Sequence, residues 1–276
     1  MRYLFFQPLL LVLLGFGSNV EASMNDSVKF SKISEVPESI WLKLANKKIY
    51  FGHQSVGQDL LQGINELMDA NPVIKLSILK TKSASDFGKP VFAHSYIGEN
   101  EKPESKNREF SSIFGTELKD KVDIAFFKYC FVDINKNTDL NKLFEDYKRT
   151  ITNVKNNNSN LIVLHLTVPL TTIQSGIKAW VKGLIGREVG RVDDNVARNK
   201  FNQMIINEYA GTDYIFDLAR FESTKQDATR EQFKVNGAKY YSMVPLYTYD
   251  GGHLNDVGKK YVAEQFLLFL VNDINL

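Results

Sequence analysis

The sequence is short of the residues that cross-link a protein or ligate metals. Its 276 residues include one cysteine, Cys130, so no intramolecular disulfide can form and stability must come from a packed core. The four histidines have no short metal-ligand spacing and there is no glycine-rich phosphate loop, so we predict neither a metal site nor a cofactor. The 34 basic and 32 acidic residues are scattered, and nothing in them predicts a nucleic-acid partner.

The chain also has no apolar run long enough to cross a bilayer comfortably. Residues 1–22 have the pattern of a secretory signal peptide, with Arg2 as a positive start, an unbroken apolar run at residues 9–14 and a small residue, Ala22, at the end. An uncleaved membrane anchor is the alternative. The signal predicts an exported protein, periplasmic or secreted, with no stable membrane insertion after cleavage.

Enough apolar material is present for one substantial core, because 43% of the residues are hydrophobic and 24% are charged. We predict a polar lead-in over residues 23–39, followed by a single domain over residues 40–276. The sequence contains no internal repeat.

Short apolar runs alternate with helix-like stretches after the lead-in. This alternation predicts an α/β fold, a three-layer α/β/α sandwich in which helices cover both faces of a parallel five-stranded sheet. The predicted strands are the run that begins at Lys48 and residues 74–79, 122–129, 161–166 and 214–218. Of the remaining stretches, we predict a long polar connection at 80–106, an excursion over one sheet edge at 170–194 and a mostly irregular segment at 220–249.

Ser55 lies where the first predicted strand changes to a helix. Residues 56–68 after it place their apolar side chains on one face at helical spacing. At such a turn a side chain emerges at the carboxyl edge of the sheet, beside helix N–H groups that are unpaired and carry partial positive charge. Those donors suit an oxyanion, so Ser55 is a candidate nucleophile with its own N–H as a candidate oxyanion donor. The alternative is a serine that only caps the helix.

A second motif lies directly before the last predicted helix. Asp250 and His253 are three residues apart in a glycine-containing turn, so the carboxylate can orient the imidazole and stabilise its protonated form. The opposite ring nitrogen is then free to accept a proton from a serine hydroxyl. The alternative is that Asp250 or Asn255 caps the helix and that His253 is an ordinary loop residue.

Together, Gly-His-Gln-Ser-Val-Gly at residues 52–57 and Asp-Gly-Gly-His-Leu-Asn-x-x-Gly at residues 250–258 resemble the SGNH (GDSL-type) hydrolase superfamily. The resemblance spans nearly the whole mature chain. It implies a flavodoxin-like sheet and the activity of an esterase, a lipase or a carbohydrate deacetylase. It also implies that Ser55 is the nucleophile and that Asp250 and His253 complete a catalytic triad.

The resemblance further implies an oxyanion hole with donors from two other blocks. The glycine of the family's second block matches Gly98, in the predicted polar connection. The third block would supply an asparagine, but residues 128–133 contain neither a glycine nor an asparagine. Asn100 is therefore the substitute donor that its side-chain chemistry predicts, ahead of Asn135.

Three further residues need an interpretation. His53 stands with Gln54 where the family has a single aspartate, and it is predicted either to contact substrate or to pack within the turn. Trp180 is predicted either to belong to a flap that contacts substrate or to pack an extra helix. Cys130 follows an apolar strand, which predicts a buried structural thiol.

These observations predict an exported serine esterase that hydrolyses small acyl esters, acetyl esters above all. The predicted substrate is an acylated carbohydrate or another small ester. One alternative is an acyltransferase with the same triad. The other is a non-catalytic glycan-binding module on the same fold, for which the altered first and third blocks would be an explanation.

Overall fold

A parallel six-stranded sheet forms the centre of the molecule. The computed structural model describes residues 29–174, 190–274 and 276. The strands of the sheet are β1 (Lys48–His53), β2 (Ile78–Lys80), β3 (Val91–Tyr96), β4 (Ile124–Phe127), β5 (Ile162–Leu166) and β6 (Tyr214–Phe216). Their order is β2-β3-β1-β4-β5-β6, and every neighbouring pair is parallel.

Helices cover both faces of this sheet, which confirms the predicted three-layer α/β/α architecture. The α-helices of the described residues are α1 (Glu38–Ala45), α2 (Ser55–Ala70), α3 (Pro103–Gly115), α4 (Leu140–Asn157), α5 (Val192–Tyr209), α6 (Leu218–Ser223) and α7 (Asp256–Asn272). One apolar core contains side chains of α1, α2 and α7, and a second contains side chains of α3, α4 and α5. The pairs α2–α7 and α3–α4 pack against each other within their layers.

The central strands are apolar on both faces because both faces are covered. On the α2 face, Phe51 of β1 stacks on Phe126 of β4 with ring centroids 4.6 Å apart. On the opposite face, Tyr50 packs edge-on against Phe114 of α3 at 5.7 Å. Burial of these large rings removes much apolar surface from water, and this is the main term that holds the layers together.

Within the described residues, the central sheet has one strand more than the five predicted. The additional strand, β3, lies inside residues 80–106, which the sequence predicted as a polar connection. It pairs with β1 on one side and β2 on the other, so it is buried although it contains His94 and Ser95. Strand β2 is also shorter than predicted, because residues 74–77 form a loop. Ile74 and Leu76 of this loop still pack into the core.

Two other segments are more ordered than predicted. Residues 220–249 contain the end of α6 and an antiparallel hairpin of two strands, β7 (Gln232–Val235) and β8 (Ala238–Tyr241). In the lead-in, Ile33 and Val36 are buried against the core that contains α1 and α2. None of the helices in the described residues has the length and apolarity that a bilayer crossing requires.

The carboxyl end of β1 lies at the switch point of the sheet. From β1 the chain first adds β2 and β3 on one side and then crosses to β4 on the other. In open parallel sheets, the crevice outside the carboxyl ends at such a point is where ligands bind. Helix α2 begins there, at Ser55.

Candidate active site

Helix α2 starts two residues after β1 ends, and this abrupt turn presents Ser55 at the sheet edge. Ser55 is the first helical residue, and its N–H has no hydrogen-bond acceptor among the residues that the structure describes. The preceding residue, Gln54, donates from Nε2 to the carbonyls of Ile97 (3.0 Å) and Gly98 (2.9 Å). This side chain therefore ties the loop after β3 to the turn that carries Ser55.

His253 and Asp250 lie directly opposite this turn. The Nε2 of His253 is 2.9 Å from the Oγ of Ser55, and its Nδ1 is 2.6 Å from the Oδ2 of Asp250. The other carboxylate oxygen, Oδ1, accepts from the N–H groups of Gly252 and His253, each at 2.8 Å. The chain thus brings a hydroxyl, an imidazole and a carboxylate into one hydrogen-bonded line.

The hydrogen bonds to Asp250 hold it in its charged form. Partial burial alone would raise the pKa of this carboxyl, but donation from the His253 N–H, the His253 ring and the Gly252 N–H lowers its pKa to about 2. Its side chain is 44% exposed and that of His253 is 26% exposed. Asp250 is therefore ionised near neutral pH, and it lies at an open rim, where water screens its charge.

The helix cap that follows is made by a different residue. Asn255 accepts from the N–H of Gly258 at 3.0 Å and so caps α7. Asp250 instead directs its carboxylate to the imidazole. Of the two residues considered as helix caps, Asn255 therefore caps α7 and Asp250 does not.

The structure places the two predicted oxyanion donors of the 97–100 loop differently. The N–H of Gly98 donates to Glu109 Oε2 at 2.8 Å, and its backbone has a φ of 57°. This N–H is engaged within the protein, so the prediction that it binds an oxyanion is wrong for this conformation. Asn100 is exposed, and its Oδ1 accepts from Lys106 Nζ at 3.2 Å. Within the described residues its Nδ2 has no acceptor, so its role as an oxyanion donor stays a prediction.

His53 is buried below Ser55 and does not line the rim. Its Nδ1–H donates to the carbonyl of Gln54 (2.8 Å), and its Nε2 accepts from Nδ1 of His94 (2.9 Å). Its side chain has no exposed surface, and burial lowers the pKa of this imidazole to about 3. The predicted substrate contact by His53 is therefore wrong, and packing within the turn is what the structure shows.

Other residues border the candidate site, and one prediction cannot be placed. Phe131 packs its ring against His253 with centroids 5.3 Å apart, and Tyr249 lies nearly parallel to the imidazole at 6.0 Å. Tyr249 is 69% exposed.

Trp180 lies outside the described residues. Cys130 is buried beside this region, as a structural thiol would be.

Asp59 is a neighbour of the site that the sequence motifs did not single out. Its only signal in the sequence is the spacing of four residues from Ser55, which places both on one face of α2. The structure describes no group of three or more histidine, cysteine, aspartate or glutamate side chains that could hold a metal ion.

No protein-family model and no curated protein matches this chain. Solved structures that are similar to it include a protein from Desulfitobacterium hafniense DCB-2, provisionally described as lipolytic and of the G-D-S-L family. That structure has 10% identity and a TM-score of 0.46, with 82% of this chain and 100% of the other covered. A Clostridium thermocellum family 3 carbohydrate esterase has 12% identity and a TM-score of 0.43, with 82% of this chain and 95% of the esterase covered.

A third similar structure is the periplasmic domain of a Salmonella ser. Paratyphi A lipopolysaccharide acetyltransferase. It has 9% identity and a TM-score of 0.45, with 80% of this chain and 83% of that one covered. Because all three TM-scores are below 0.5, the similarities carry no conclusion about activity.

Proposed function

We propose that this protein is an exported serine esterase that hydrolyses small acyl esters, with acetyl groups on a carbohydrate as the substrate class. The observation that supports the proposal most is the line from Ser55 Oγ through His253 to Asp250, with contacts of 2.9 and 2.6 Å. Ser55 and His253 are 198 residues apart in the sequence, so their contact depends on the whole fold. An open rim around them suits an ester group carried on a large molecule.

In this mechanism Ser55 Oγ attacks the ester carbonyl carbon while its proton moves to Nε2 of His253. Asp250 keeps the Nδ1–H tautomer and stabilises the imidazolium that forms. The Ser55 N–H and the Nδ2 of Asn100 donate to the developing oxyanion. His253 then protonates the departing alcohol, and a water molecule, deprotonated by the same imidazole, releases the acyl group from Ser55.

Removal of the nucleophile tests the proposal. We expect the mature wild-type protein to hydrolyse p-nitrophenyl acetate and to be labelled by a fluorophosphonate probe. In Ser55→Ala the rate should fall by on the order of 10⁴-fold and labelling should disappear, because the reaction then has no attacking group. Ser112→Ala is the matched control, since this serine is exposed on α3, and it should retain both signals.

The result also separates the alternatives. If unlabelled wild type, given p-nitrophenyl acetate as the acyl donor together with a sugar, releases p-nitrophenol and forms an acetylated sugar, the protein is an acyltransferase that uses the same serine. If wild type and Ser55→Ala are equally inert and both bind glycan, the proposal is wrong and the binding module is the better description.

A further inference from the structure

The first two turns of α2 contact the histidine loop, residues 248–255, at two adjacent residues, His253 and Leu254. Ser55 Oγ meets the ring of His253, and Asp59 Oδ2 accepts from the backbone N–H of Leu254 at 3.1 Å. Because Ser55 and Asp59 are four residues apart, they lie one above the other on the same helix face. The hydrogen bond between Asp59 and Leu254, one helical turn after Ser55, therefore helps to fix the distance between the Ser55 hydroxyl and the His253 imidazole.

Asp59 also brings a second carboxylate close to His253. Four charged or titratable groups from other parts of the chain interact with it: the His253 imidazole, Lys259 of α7, Lys128 after β4 and the hydroxyl of Tyr249. Burial raises the pKa of the Asp59 carboxyl, and the bond from Leu254 opposes that increase. Asp250 is 44% exposed, whereas Asp59 lies on the inner side of the loop, so water screens its charge less.

We propose that Asp59 is a positioning residue for His253: it fixes the loop at Leu254 so that the imidazole faces Ser55, and its negative charge stabilises the imidazolium. This inference rests on the proposed esterase mechanism for its consequence in catalysis. The proton that leaves Ser55 stops on His253 and is not passed on to Asp59. The cations Lys128 and Lys259 reduce its effect on the imidazole without removing it.

Two substitutions separate the charge of Asp59 from its hydrogen bond. Asp59→Asn keeps an oxygen that can accept from Leu254 and removes the charge. Asp59→Ala removes both. Glu66→Gln is the matched control, because it removes one charge from an exposed position on the same helix.

The direct measurement is an NMR titration of the His253 ring protons in all four proteins, assigned by their absence in His253→Gln. In Asp59→Asn the pH midpoint of the titration should fall by about 0.5, the size expected for one charge at several ångströms in a partly solvated site. Glu66→Gln should titrate as the wild type does. The acid limb of kcat/KM for p-nitrophenyl acetate should move by the same amount.

Asp59→Ala should in addition lower kcat about tenfold at alkaline pH with little change in KM, because the imidazole is less well aligned. Asp59→Asn should lose less, at most about threefold in kcat at that pH, because the loop stays in place and only the stabilisation of the imidazolium is lost. An unchanged His253 midpoint in Asp59→Asn, with a folded spectrum, overturns the inference even if the wild type is an active esterase. A wild type without esterase activity overturns the proposed function instead, and the NMR midpoints still decide the charge effect of Asp59.

Discussion

At the scale of single residues, Gly251 is the position in the histidine loop where a side chain is least acceptable. Its φ of 89° is in the left-handed region, and an added Cβ would overlap Nη1 of Arg191 and lie 2.6 Å from Oγ1 of Thr172. We expect Gly251→Ala to lower the free energy of unfolding by about 1–2 kcal/mol through backbone strain. It should also lower kcat/KM at least tenfold, since the loop must move and His253 moves with it.

Gly237 offers a matched control for this strain. It has a φ of 80° in the turn of the β7–β8 hairpin, and an added Cβ there would meet nothing within 4 Å. Urea unfolding and ester hydrolysis should therefore separate the two variants, with Gly237→Ala destabilised by a similar amount of about 1–2 kcal/mol and fully active. Equal activity in the two variants would show that the fine geometry of the His253 loop is not what the reaction depends on.

The residues of the candidate site differ in how far the sequence predicts them. Ser55, Asp250 and His253 lie in short motifs at strand or helix boundaries, and the resemblance of these motifs to a known family implies that the three residues meet. The environment of Gly98 could not be predicted, because its N–H is bound by Glu109, a residue of the following helix. The burial of His53 depends on His94, which lies on a strand that the sequence did not reveal.

At the scale of elements, a buried ion pair joins the start of α3 to the loop after β4. Lys106 and Asp133 are in contact and neither side chain has exposed surface. Asp133 also accepts from the N–H groups of Glu101 (2.9 Å) and Cys130 (2.6 Å), so it joins both loops that border the site. Lys106→Met should lower the free energy of unfolding by about 3 kcal/mol or more, because it leaves a buried carboxylate without its cation.

An exposed pair close by serves as the comparison for that prediction. Lys102 and Glu99 are 2.6 Å apart, with side chains 64% and 67% exposed. Water and salt screen such a pair, so Lys102→Met should leave the urea midpoint nearly unchanged. Similar midpoints for the two methionine variants would contradict a stabilising role for the buried pair.

The elements were predictable where the chain shows a clear period and less so elsewhere. Helix α4 repeats apolar residues at helical spacing, which is the pattern that predicts a helix. Strand β5 is apolar except for His165, and the predicted range of 161–166 is close to its actual bounds. Strand β3 contains polar residues and lies between Pro90 and Gly98, which is the pattern of a loop. Its strand conformation comes from pairing with β1 and β2, and those are contacts that no local pattern contains.

At the scale of the whole molecule, buried titratable groups make stability depend on pH in two opposite directions. Burial lowers the pKa of His53 to about 3, from an ordinary value near 6.5. Between these pH values the unfolded state binds a proton that the folded state does not, so stability falls as the pH is lowered. His165, also buried, has its pKa lowered by burial and acts in the same direction.

Glu222, on α6, acts in the opposite direction. It has no exposed surface, its Oε2 accepts from the Leu170 N–H at 2.7 Å, and its Oε1 has no partner in the described part of the chain. Burial raises its pKa from 4.5 to about 8, although Lys128 and Arg198 nearby favour its charged form. Between pH 4.5 and 8 the folded state therefore keeps a proton that the unfolded state loses, and this contribution to stability falls as the pH rises.

Glu222→Gln isolates this contribution, because glutamine has the shape of the protonated carboxyl and does not titrate. The variant should gain stability relative to the wild type as the pH rises from 4.5 to 7.5, while the histidines affect both proteins equally. Urea unfolding at the two pH values measures the gain, with Glu66→Gln as the control on an exposed surface. A pH-independent effect of the amide on the free energy of unfolding cancels when the two pH values are compared. If the variant and the wild type differ in free energy of unfolding by the same amount at both pH values, Glu222 is ionised in the folded protein and this prediction is wrong.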